Sequence, residues 1–463
     1  MAPNNFKVIV VGGGPVGLVA AHVLYKAGID FDVLERRENV VLDLGAALVL
    51  APQNMRVMHQ LGLYEKLMAI GEELLNTKGF LLNGNQFKRG TELQVLKENH
   101  GVGLVAFHRA HLVEVLFNNL PEDAKSRYFL NKKVASIDSN DEGVLVTCDD
   151  GSSYEGSISI ALGADGVHSI TRSIMRDLAL ADNPALDWDS KEPFTSIYKC
   201  LWASFPRPSA PGENFETTSQ NQAAMYLTGR DRGWVLLYDK SDEPTTTLQS
   251  YSEKDVEIVA DKLAEFPVNE TLKVKDVVRE RFSWGMSDLG EGIVKHWSWG
   301  RIVLAGDACH KFTPNAGLGL NNGIQDIVVL CNELHQAVTS APKGQPSTDT
   351  LAKAFQRYQQ DRAEAMEKDY KQSAVVTRLQ TWANGLYYFL SRYVLSHNFV
   401  TRFIARFVTS PGIKKVGFSP RDYHDHFPMS KYSVQAAGNE WRIAAQQGTT
   451  QPRICSVARV SGG

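Results

Sequence analysis

The sequence has few of the features that would stabilise a secreted fold or place the chain in a membrane. Its five cysteines are widely scattered and include no CxxC pair, which argues against a disulfide framework or a zinc site and for a reducing compartment. No uncharged apolar run approaches the roughly 20 residues that span a bilayer. The opening residues MAPNNFK lead directly into an apolar segment and leave no room for a signal peptide. We therefore expect a cytoplasmic protein without a transmembrane segment.

An excess of charge of one sign is also lacking. The formal net charge of the 463 residues is −3, so the chain offers no overall basic field and we expect no nucleic acid partner. The chain does have apolar content, with 43% hydrophobic and 22% charged residues. That is enough for two or more domains with substantial cores. The composition is typical of a globular enzyme.

The first 30 residues carry the strongest local pattern. A short apolar run, Val8–Val11, predicts a buried strand of a parallel sheet. It leads into Gly12, Gly14 and Gly17, then into a helical pattern and a second strand that ends at Glu35. Gly12 permits a tight turn, Gly14 lets the backbone approach a pyrophosphate, and Gly17 lets helix and strand pack closely. Glu35 would bind a ribose hydroxyl and repel a 2′-phosphate, which predicts FAD or NAD rather than NADP.

Two further apolar strands end in small-residue turns. The first is followed by Asp165, within Gly-Ala-Asp-Gly. The second is followed by Asp307, which can bind a polyol hydroxyl at the carboxyl end of its strand. A turn at Gly317-x-Gly319 precedes a helix that starts near Asn321. The start of that helix would present backbone N–H groups and a positive dipole end to an electron-rich ring.

Three segments between these anchors have more than one interpretation. Gly45 and Ala46 suit a close approach of the backbone to a ligand or an ordinary packed turn. Asp43 just before them is consistent with simple loop solvation. Arg109, at the start of a predicted helix, could pair with a phosphate or flavin edge or form a surface salt bridge.

The rest of the chain has a different residue pattern from these nucleotide-binding segments. Residues 186–284 are strand-like and aromatic, which predicts an antiparallel sheet that could form the wall of an apolar substrate pocket. Helices rich in aromatic residues and arginines follow in 375–408. They are expected to pack on the core, with contact to a membrane surface as the alternative. We predict a discontinuous nucleotide-binding domain (1–75, 100–185 and 285–365), a β domain (76–99 and 186–284), C-terminal helices (366–438) and a flexible tail (439–463).

Together, the three turn motifs resemble the group A flavoprotein monooxygenases, the aromatic-hydroxylase-like enzymes that contain FAD. The predicted fold class is therefore α/β: a Rossmann-type FAD-binding domain, a mostly antiparallel substrate domain and a helical C-terminal region. Gly45-Ala46 and the segment His310–Asn315 look like the fungal branch that oxidises indole alkaloids, indole diterpenes and meroterpenoids. The resemblance implies that FAD and NADPH are the cofactors. It also implies the FAD-binding residues, which are Glu35, backbone near Ala46 and Val49, Arg109, Asp307 and backbone near Leu320, with Asp165 serving both nucleotides.

The implied reaction is reduction of the flavin by NADPH, reaction with O2, and transfer of one oxygen to an alkene or electron-rich ring. No metal cluster or nucleophile triad is needed, and none is visible in the sequence. Arg109 is expected at the flavin edge. The candidates for a general acid are Lys199, Asp43 and Tyr226, and Tyr238 is the alternative to Tyr226 as a pocket tyrosine.

Three functions remain open at this point. The first is epoxidation of a prenyl or indole double bond in a small apolar substrate that is indole- or terpenoid-like. The second is hydroxylation of a phenol, for which a pocket His or Tyr would remove the phenolic proton. The third is a flavin-fold protein that binds a ligand without turnover. We expect a monomer or weak dimer.

Overall fold

The computed structural model describes residues 6–415 apart from positions 44, 46, 157 and 248. The strands are β1 Phe6–Val11, β2 Asp30–Leu34, β3 Ala47–Leu50, β4 Glu72–Leu74, β5 Asn76–Phe80, β6 Gln86–Gly90, β7 Leu104–His108, β8 Tyr128–Phe129, β9 Val134–Ser139, β10 Val144–Cys148, β11 Ser153–Glu155, β12 Ile158–Gly163, β13 Thr195–Pro206, β14 Glu213–Ser219, β15 Gln222–Thr228, β16 Arg232–Thr245, β17 Ser283–Ile293, β18 Ser298–Trp299, β19 Ile302–Leu304 and β20 His310–Lys311. The helices are α1 Pro15–Ala27, α2 Pro52–Gln60, α3 Tyr64–Ile70, α4 Glu92–His100, α5 Arg109–Asn118, α6 Glu122–Lys125, α7 Ile170–Asp182, α8 Glu253–Lys262, α9 Val274–Arg279, α10 Leu318–Ser340, α11 Thr348–Gln380, α12 Gly385–Phe389, α13 Asn398–Ile404 and α14 Ser410–Lys415.

A six-stranded sheet forms the first layer, in the order β18-β19-β12-β1-β2-β8. The strands from β19 to β8 are parallel, and β18 is an antiparallel edge. The three apolar strands predicted before the small-residue turns are β1, β12 and β19, which lie side by side in this sheet. Their carboxyl ends therefore meet at one edge, because parallel neighbours end together. Helices α1 and α10 pack together beside this sheet, in the largest hydrophobic cluster.

An eight-stranded sheet forms the second layer, in the order β20-β17-β13-β16-β15-β14-β5-β6. All neighbours are antiparallel except β14 and β5, which are parallel. One face packs against α8 and α9 in a second hydrophobic cluster, while the other contributes to a third cluster with α4. The predicted fold class, with a Rossmann-type sheet, an antiparallel sheet and C-terminal helices, is confirmed. The domain boundaries stay a proposal, and β17 continues across the expected one at 284/285.

The sequence pattern predicts short strands across residues 74–105, and a helix over 351–368 that is followed by helices over 375–408. Both expectations are wrong in part. Residues 92–100, expected among short strands, form α4, which ends at the left-handed Gly101. The helix predicted to end at 368 instead continues as α11 to Gln380, a 33-residue helix whose buried positions run along its length. The tail beyond residue 415 lies outside the described residues.

The last described segment combines short α-helices with π-helical turns. The π-helical turns are Leu390–Val394 and Ala405–Thr409, between α12 and α14. Arg402 donates to the hydroxyl of Thr91 at 2.9 Å, and Asn398 accepts a hydrogen bond from the Thr91 backbone N–H, also at 2.9 Å. These contacts attach the segment to the start of α4. No helix within the described residues is long and apolar enough to cross a membrane.

Candidate active site

A cleft of about 730 Å³ lies between the two sheets. The carboxyl ends of β1, β2, β12 and β19 form one end, which we call the nucleotide end. The face of the eight-stranded sheet that does not pack on α8 and α9 forms the other, the substrate end. The cleft therefore lies where open α/β sheets bind ligands, and an antiparallel wall completes it.

The three glycines of the first motif each meet a different constraint. Gly12 has a positive φ of +104°, and a Cβ there would lie 2.5 Å from the Ala164 carbonyl oxygen. A Cβ at Gly17 would lie 1.9 Å from the carbonyl oxygen of Gly12. A Cβ at Gly14 would meet nothing within 4 Å, so the protein itself does not require a glycine there. Gly14 caps the N-terminus of α1 and lines the cleft, which fits the close approach of a phosphate group.

Glu35 lies at the carboxyl end of β2 and is 6% exposed. Its two carboxylate oxygens accept hydrogen bonds from the backbone N–H groups of Gly13 (2.9 Å) and Arg37 (3.0 Å). The side chain thus orders the glycine turn as well as lining the cleft. Each carboxylate oxygen has a further lone pair, which leaves capacity to accept from ribose hydroxyls.

Gly13 is a further constrained position that the sequence analysis missed. A Cβ at Gly13 would lie 2.1 Å from the hydroxyl oxygen of Tyr128. That hydroxyl donates a 2.8 Å hydrogen bond to the Gly13 carbonyl oxygen. The run of three glycines in the sequence was the available signal, since the predicted motif needs only the first and third of them.

Arg109 begins α5, lines the cleft and is half-buried. Burial lowers its pKa and the nearby Arg37 lowers it further, while Asp307 and Glu35 act in the opposite direction. Its guanidinium donates no hydrogen bond to any residue that the structure describes. Because a partly desolvated cation needs acceptors, this side chain fits the phosphate or flavin edge expected of it. The salt-bridge alternative has no partner within the described residues.

Asp307 lies close to the start of α10 at the nucleotide end. Gly317 has a φ of +64° and caps α10, and Gly317, Gly319 and Leu320 all line the cleft with Asp307. A Cβ at Gly319 would lie 3.6 Å from Asp307 Oδ1, which shows how near the carboxylate is to the helix start. The first N–H groups of a helix lack intrahelical partners, so this edge offers both donors and a carboxylate acceptor to a polar ring system.

Asp165 lines the cleft in the turn after β12. Its Oδ2 accepts hydrogen bonds from the backbone N–H and the hydroxyl of Thr171, both at 3.0 Å. Burial raises its pKa against those hydrogen bonds. The side chain therefore holds the start of α7 against the nucleotide end.

The substrate end is mainly apolar. Its polar members are Asn214, Ser287 and Cys200, with Lys311 on the edge strand β20, and burial raises the pKa of the Cys200 thiol. Its apolar members are Leu74, Leu104, Trp202, Met225, Leu227, Leu236 and Leu289. An apolar wall was expected from residues 186–284, but its individual residues were not, because β13 and β15 carry buried apolar residues on both faces.

The comparisons with known proteins agree with this geometry. The family described as "FAD binding domain" matches residues 5–180 and 230–369. The FAD-dependent monooxygenase esdpE of Penicillium shearii is 31% identical over 444 residues, covering 93% of this chain and 91% of that protein. This chain belongs to the FAD-dependent monooxygenases. The resemblance inferred from the three motifs is confirmed, and FAD is the cofactor that the nucleotide end holds.

A second relative and two solved structures are also similar to this monooxygenase. The FAD-dependent monooxygenase ausM of Penicillium brasilianum is 32% identical, over 85% of this chain and 83% of that protein. A single-residue variant of Klebsiella pneumoniae HpxO, complexed with FAD, has a TM-score of 0.69 at 17% identity, covering 87% of this chain and 98% of that one. HpxO complexed with FAD and uric acid has a TM-score of 0.68 at 18% identity, covering 88% and 98%. At these identities the two crystal structures support the fold alone.

Two of the predicted FAD contacts need restating for this monooxygenase. Asn321 does not line the cleft. Its Oδ1 accepts from the N–H of Ala51 (2.8 Å) and the amide of Asn54 (2.6 Å), and its Nδ2 donates to the carbonyl oxygens of Val49 (2.7 Å) and Gly317 (2.5 Å). With its side chain fully engaged, Asn321 fastens α10 to β3 instead of contacting FAD. Val49 does line the cleft, and Ala46 lies outside the described residues.

Tyr226 and Lys199 face away from the cleft, so the prediction that they face the flavin–substrate space is wrong. Side chains alternate along a strand, and it is Met225 and Cys200, their neighbours, that line the cleft. The Tyr226 hydroxyl is 2.6 Å from the Ser209 hydroxyl, and burial raises its pKa to about 12. Lys199 Nζ lies 3.8 Å from a carboxylate oxygen of Asp239, which also pairs with α8.

Tyr238, the alternative to Tyr226, is on the cleft-facing side of the sheet. It is fully buried behind Cys200 and Leu236 in the third hydrophobic cluster. Its hydroxyl has no hydrogen-bond partner among the described residues, and burial raises its pKa well above the usual value. It is a neutral donor close to the substrate end, one layer behind the residues that line it.

Asp43 is also placed where it cannot act as the predicted acid. Its carboxylate oxygens lie 2.5 Å from His108 Nε2 and 2.9 Å from an Arg232 nitrogen. Burial would raise its pKa, but the hydrogen bonds and charges of Arg232 and His108 outweigh it, and the pKa is lowered. A carboxylate that stays ionised has no proton to donate, and Asp43 does not line the cleft. It links the loop before β3 to β16.

A buried ionic cluster beneath the nucleotide end was not expected from the sequence. Cys309, His310 and Asp326 have ligand atoms close enough to hold a metal ion. The carboxylate of Asp326 is already committed, however, to the Gly306 N–H (3.0 Å), to His310 Nε2 (2.5 Å) and to Arg362 Nε (2.8 Å). Burial favours the neutral carboxyl, yet the charges of His310 and Arg362 prevail and lower its pKa to about 2. Because the Arg362 guanidinium already places a positive charge against the Asp326 carboxylate, the cluster favours this ion pair over a bound metal cation.

Proposed function

We propose that this monooxygenase uses NADPH and O2 to epoxidise a carbon–carbon double bond in an apolar secondary metabolite. The bond belongs to an indole or a prenyl group, and opening of the epoxide leads to cyclisation or rearrangement. The single observation that carries the proposal is the chemistry of the substrate end. Among the described residues of β13 to β17 that line it, Cys200 is the only ionisable side chain, and burial raises the pKa of its thiol. Lys311 of the edge strand β20 is the further ionisable residue that this sheet places on the cleft.

The same observation separates epoxidation from the hydroxylation of a phenol. A phenol hydroxylase benefits from a base that removes the phenolic proton. The wall formed by β13 to β17 offers Asn214 and Ser287 as its neutral polar groups, and no His, Glu, Asp or Lys among its described residues that line the cleft. An alkene needs no such base. Its recognition depends on apolar contact area, which Trp202, Met225 and Leu236 supply.

Bound FAD would supply the chemistry, accepting a hydride from the reduced nicotinamide and activating O2. The chain supplies binding, orientation and exclusion of water. Glu35 and the N-terminus of α1 bind the nucleotide half, while Arg109, Asp307 and the start of α10 hold the other half. The apolar wall keeps the substrate against it in a dry environment, where the oxygen-transfer step does not compete with water.

We infer NADPH as the reductant from the charges at the mouth of the nucleotide end. Arg36, Arg37, Lys132 and Lys133 line it. Lys132 pairs with Asp150 at 2.6 Å, and Lys133 lies 3.6 Å from Asp149. Arg36 and Arg37 are therefore the cations that would bind the 2′-phosphate of a visiting NADPH, which Glu35 excludes from the FAD position itself.

As part of the same proposal, the protein acts in the cytoplasm as a monomer or weak dimer.

The test is anaerobic reduction of the purified yellow protein by NADPH, with and without a panel of prenylated indoles, terpenoid alkenes and phenols. We expect one class of alkene to accelerate flavin bleaching and, after admission of labelled O2, to gain one labelled oxygen atom. The variant Met225→Gln should lose most of this stimulation and keep its FAD, whereas Leu82→Gln, at an exposed site, should behave as the parent. Stimulation by phenols alone would replace the proposal with ring hydroxylation, and stimulation by no compound would favour a binding protein.

A further inference from the structure

The surface of this monooxygenase has one region where exposed apolar side chains concentrate. Of the sixteen large hydrophobic residues that are exposed within the described chain, nine fall between 386 and 408. Monomeric soluble proteins rarely leave a contiguous patch of this kind without a partner. We call it the aromatic face, and its residues are Leu386, Tyr388, Phe389, Tyr393, Phe399, Phe403, Ile404, Phe407 and Val408.

The aromatic face is the outer side of helices whose inner side is held firmly. Phe399, Phe403 and Phe407 recur every four residues, and their side chains are 73%, 59% and 60% exposed. The residues between them on the opposite side, Thr401 and Ala405, are buried. The exposure is therefore a property of a packed helix with two chemically different sides, as in helices that lie in a membrane interface.

The charge of this segment differs from that of the whole chain. Residues 370–421 contain eight lysines and arginines and no aspartate or glutamate, whereas the net charge of the chain is −3. Glu367 pairs with Lys371 at 2.6 Å and Glu291 lies 3.4 Å from Arg378. Glu98 of α4 lies 3.7 Å from Arg402 and 3.3 Å from Arg406, so two cations share one carboxylate. Arg392 stacks over the Phe87 ring at 5.2 Å. A positive excess therefore remains beside the exposed aromatic rings.

We propose that the aromatic face docks the enzyme on the surface of an anionic phospholipid membrane. The aromatic rings enter the boundary between headgroups and acyl chains, and the arginines remain at the level of the lipid phosphates. Basic residues near such a surface add an attraction that falls off within a Debye length. None of the described helices combines the length and the apolar character needed to span a bilayer, and the proposed contact is with the membrane surface.

A second copy of the chain is a weaker match for the same face. A two-fold dimer interface places a patch against itself, which would bring Arg392 and Arg406 of both copies together without added carboxylates. Like charges across an interface are unfavourable. An anionic lipid surface supplies the opposite charge that a second copy lacks.

Docking through the aromatic face would have a consequence for the substrate end of the cleft. Ile413 of α14, which directly follows it, packs against the third hydrophobic cluster. That cluster includes Leu74, Met225 and Leu236, which line the substrate end of the cleft. Docking would place the substrate end beside the bilayer, where an apolar substrate accumulates. This consequence rests on the proposed function, whereas the docking itself does not.

The test is co-sedimentation of the full-length, FAD-loaded protein with phosphatidylserine–phosphatidylcholine vesicles, without substrate or NADPH. We expect binding that falls as salt is raised, and that is at least about tenfold weaker in the double variant F399S/F407S. The matched control L82S/I258S removes two apolar side chains that are 51% and 57% exposed elsewhere, and should bind as the parent does. The FAD content of each variant, read from its absorbance, reports that it is folded.

Three results would overturn the proposal. They are failure of the parent protein to bind anionic vesicles, equal binding by F399S/F407S, and a concentration-dependent dimer that F399S/F407S abolishes while vesicles have no effect. Because no turnover is measured, a protein that binds vesicles and oxidises no alkene would retain the docking surface and lose only the proposed function.

Discussion

At the scale of single residues, the glycine motif separates two kinds of constraint that look identical in the sequence. Gly17 is fixed by the protein, because its Cβ would lie 1.9 Å from a backbone oxygen. Gly14 has open space around its missing Cβ, so its constraint comes from the ligand. Substituting each glycine by alanine should therefore affect different states of the enzyme.

For Gly17→Ala we expect loss of stability in the FAD-free protein, because neither contacting backbone can yield without shifting β1 against α1. A cost of about 2–4 kcal/mol is in the range of a severe steric substitution, with loss of FAD binding. Gly14→Ala should leave the FAD-free protein as stable as the parent and weaken FAD binding at least about tenfold. Denaturant titration with and without FAD distinguishes the two variants. Gly385→Ala, at an open position that begins α12, is the neutral control, and equal behaviour of Gly14→Ala and Gly17→Ala would refute the distinction.

At the scale of elements, the sequence identified what is local and buried. The strands β1, β12 and β19 are continuous apolar runs that end in small residues, and the chemistry at their ends follows from the strand type. The faces of β13 and β15 were not predictable in the same way. Both strands carry apolar residues on both faces, so alternation gives no sign of which face meets the cleft. For this reason Lys199 and Tyr226 were assigned to the wrong face.

Asn321 was misassigned for a different reason. Its position in the first turn of α10 suggested contact with FAD, but the partners of its side chain come from residues about 270 positions earlier. No local pattern reveals a hydrogen bond across that sequence distance. The predicted element was correct, and its connection to β3 and α2 became visible only in three dimensions.

That connection leads to a prediction at the scale of the element. Asn321→Ala should destabilise the protein by about 2–4 kcal/mol, because it removes four hydrogen bonds of a buried side chain and leaves the Ala51 N–H without its partner. FAD affinity should fall as well, since the start of α10 would no longer be held against Val49. Thermal unfolding and FAD titration measure the two effects. Asn39→Ala is the control, because this asparagine is exposed and its side chain bonds to Glu38 alone among the residues that the structure describes. Unchanged FAD affinity in Asn321→Ala would show that α10 is held by packing alone.

At the scale of the whole molecule, the nucleotide end of the cleft is assembled from distant parts of the chain. The residues that line it range from Gly12 to Leu320 and include turns after three strands of one sheet and the start of α10. The buried ion pair of Asp326 with Arg362 joins α10 to α11 beneath that site. A ligand bound among so many elements is expected to stabilise all of them together, because it binds only the folded arrangement.

Removal of FAD should consequently lower the unfolding temperature of the entire protein. A ligand at 100 times its Kd contributes about 2.7 kcal/mol of stability, which for a chain of this size corresponds to a shift of a few degrees. Scanning calorimetry of the FAD-free protein, with FAD added back in steps, measures the shift, and NAD in place of FAD should produce none. In Asp307→Ala the unfolding temperature without FAD should match that of the parent while the FAD-dependent rise shrinks. A rise of the same size in Asp307→Ala would mean that the carboxylate at the end of β19 faces FAD without binding it.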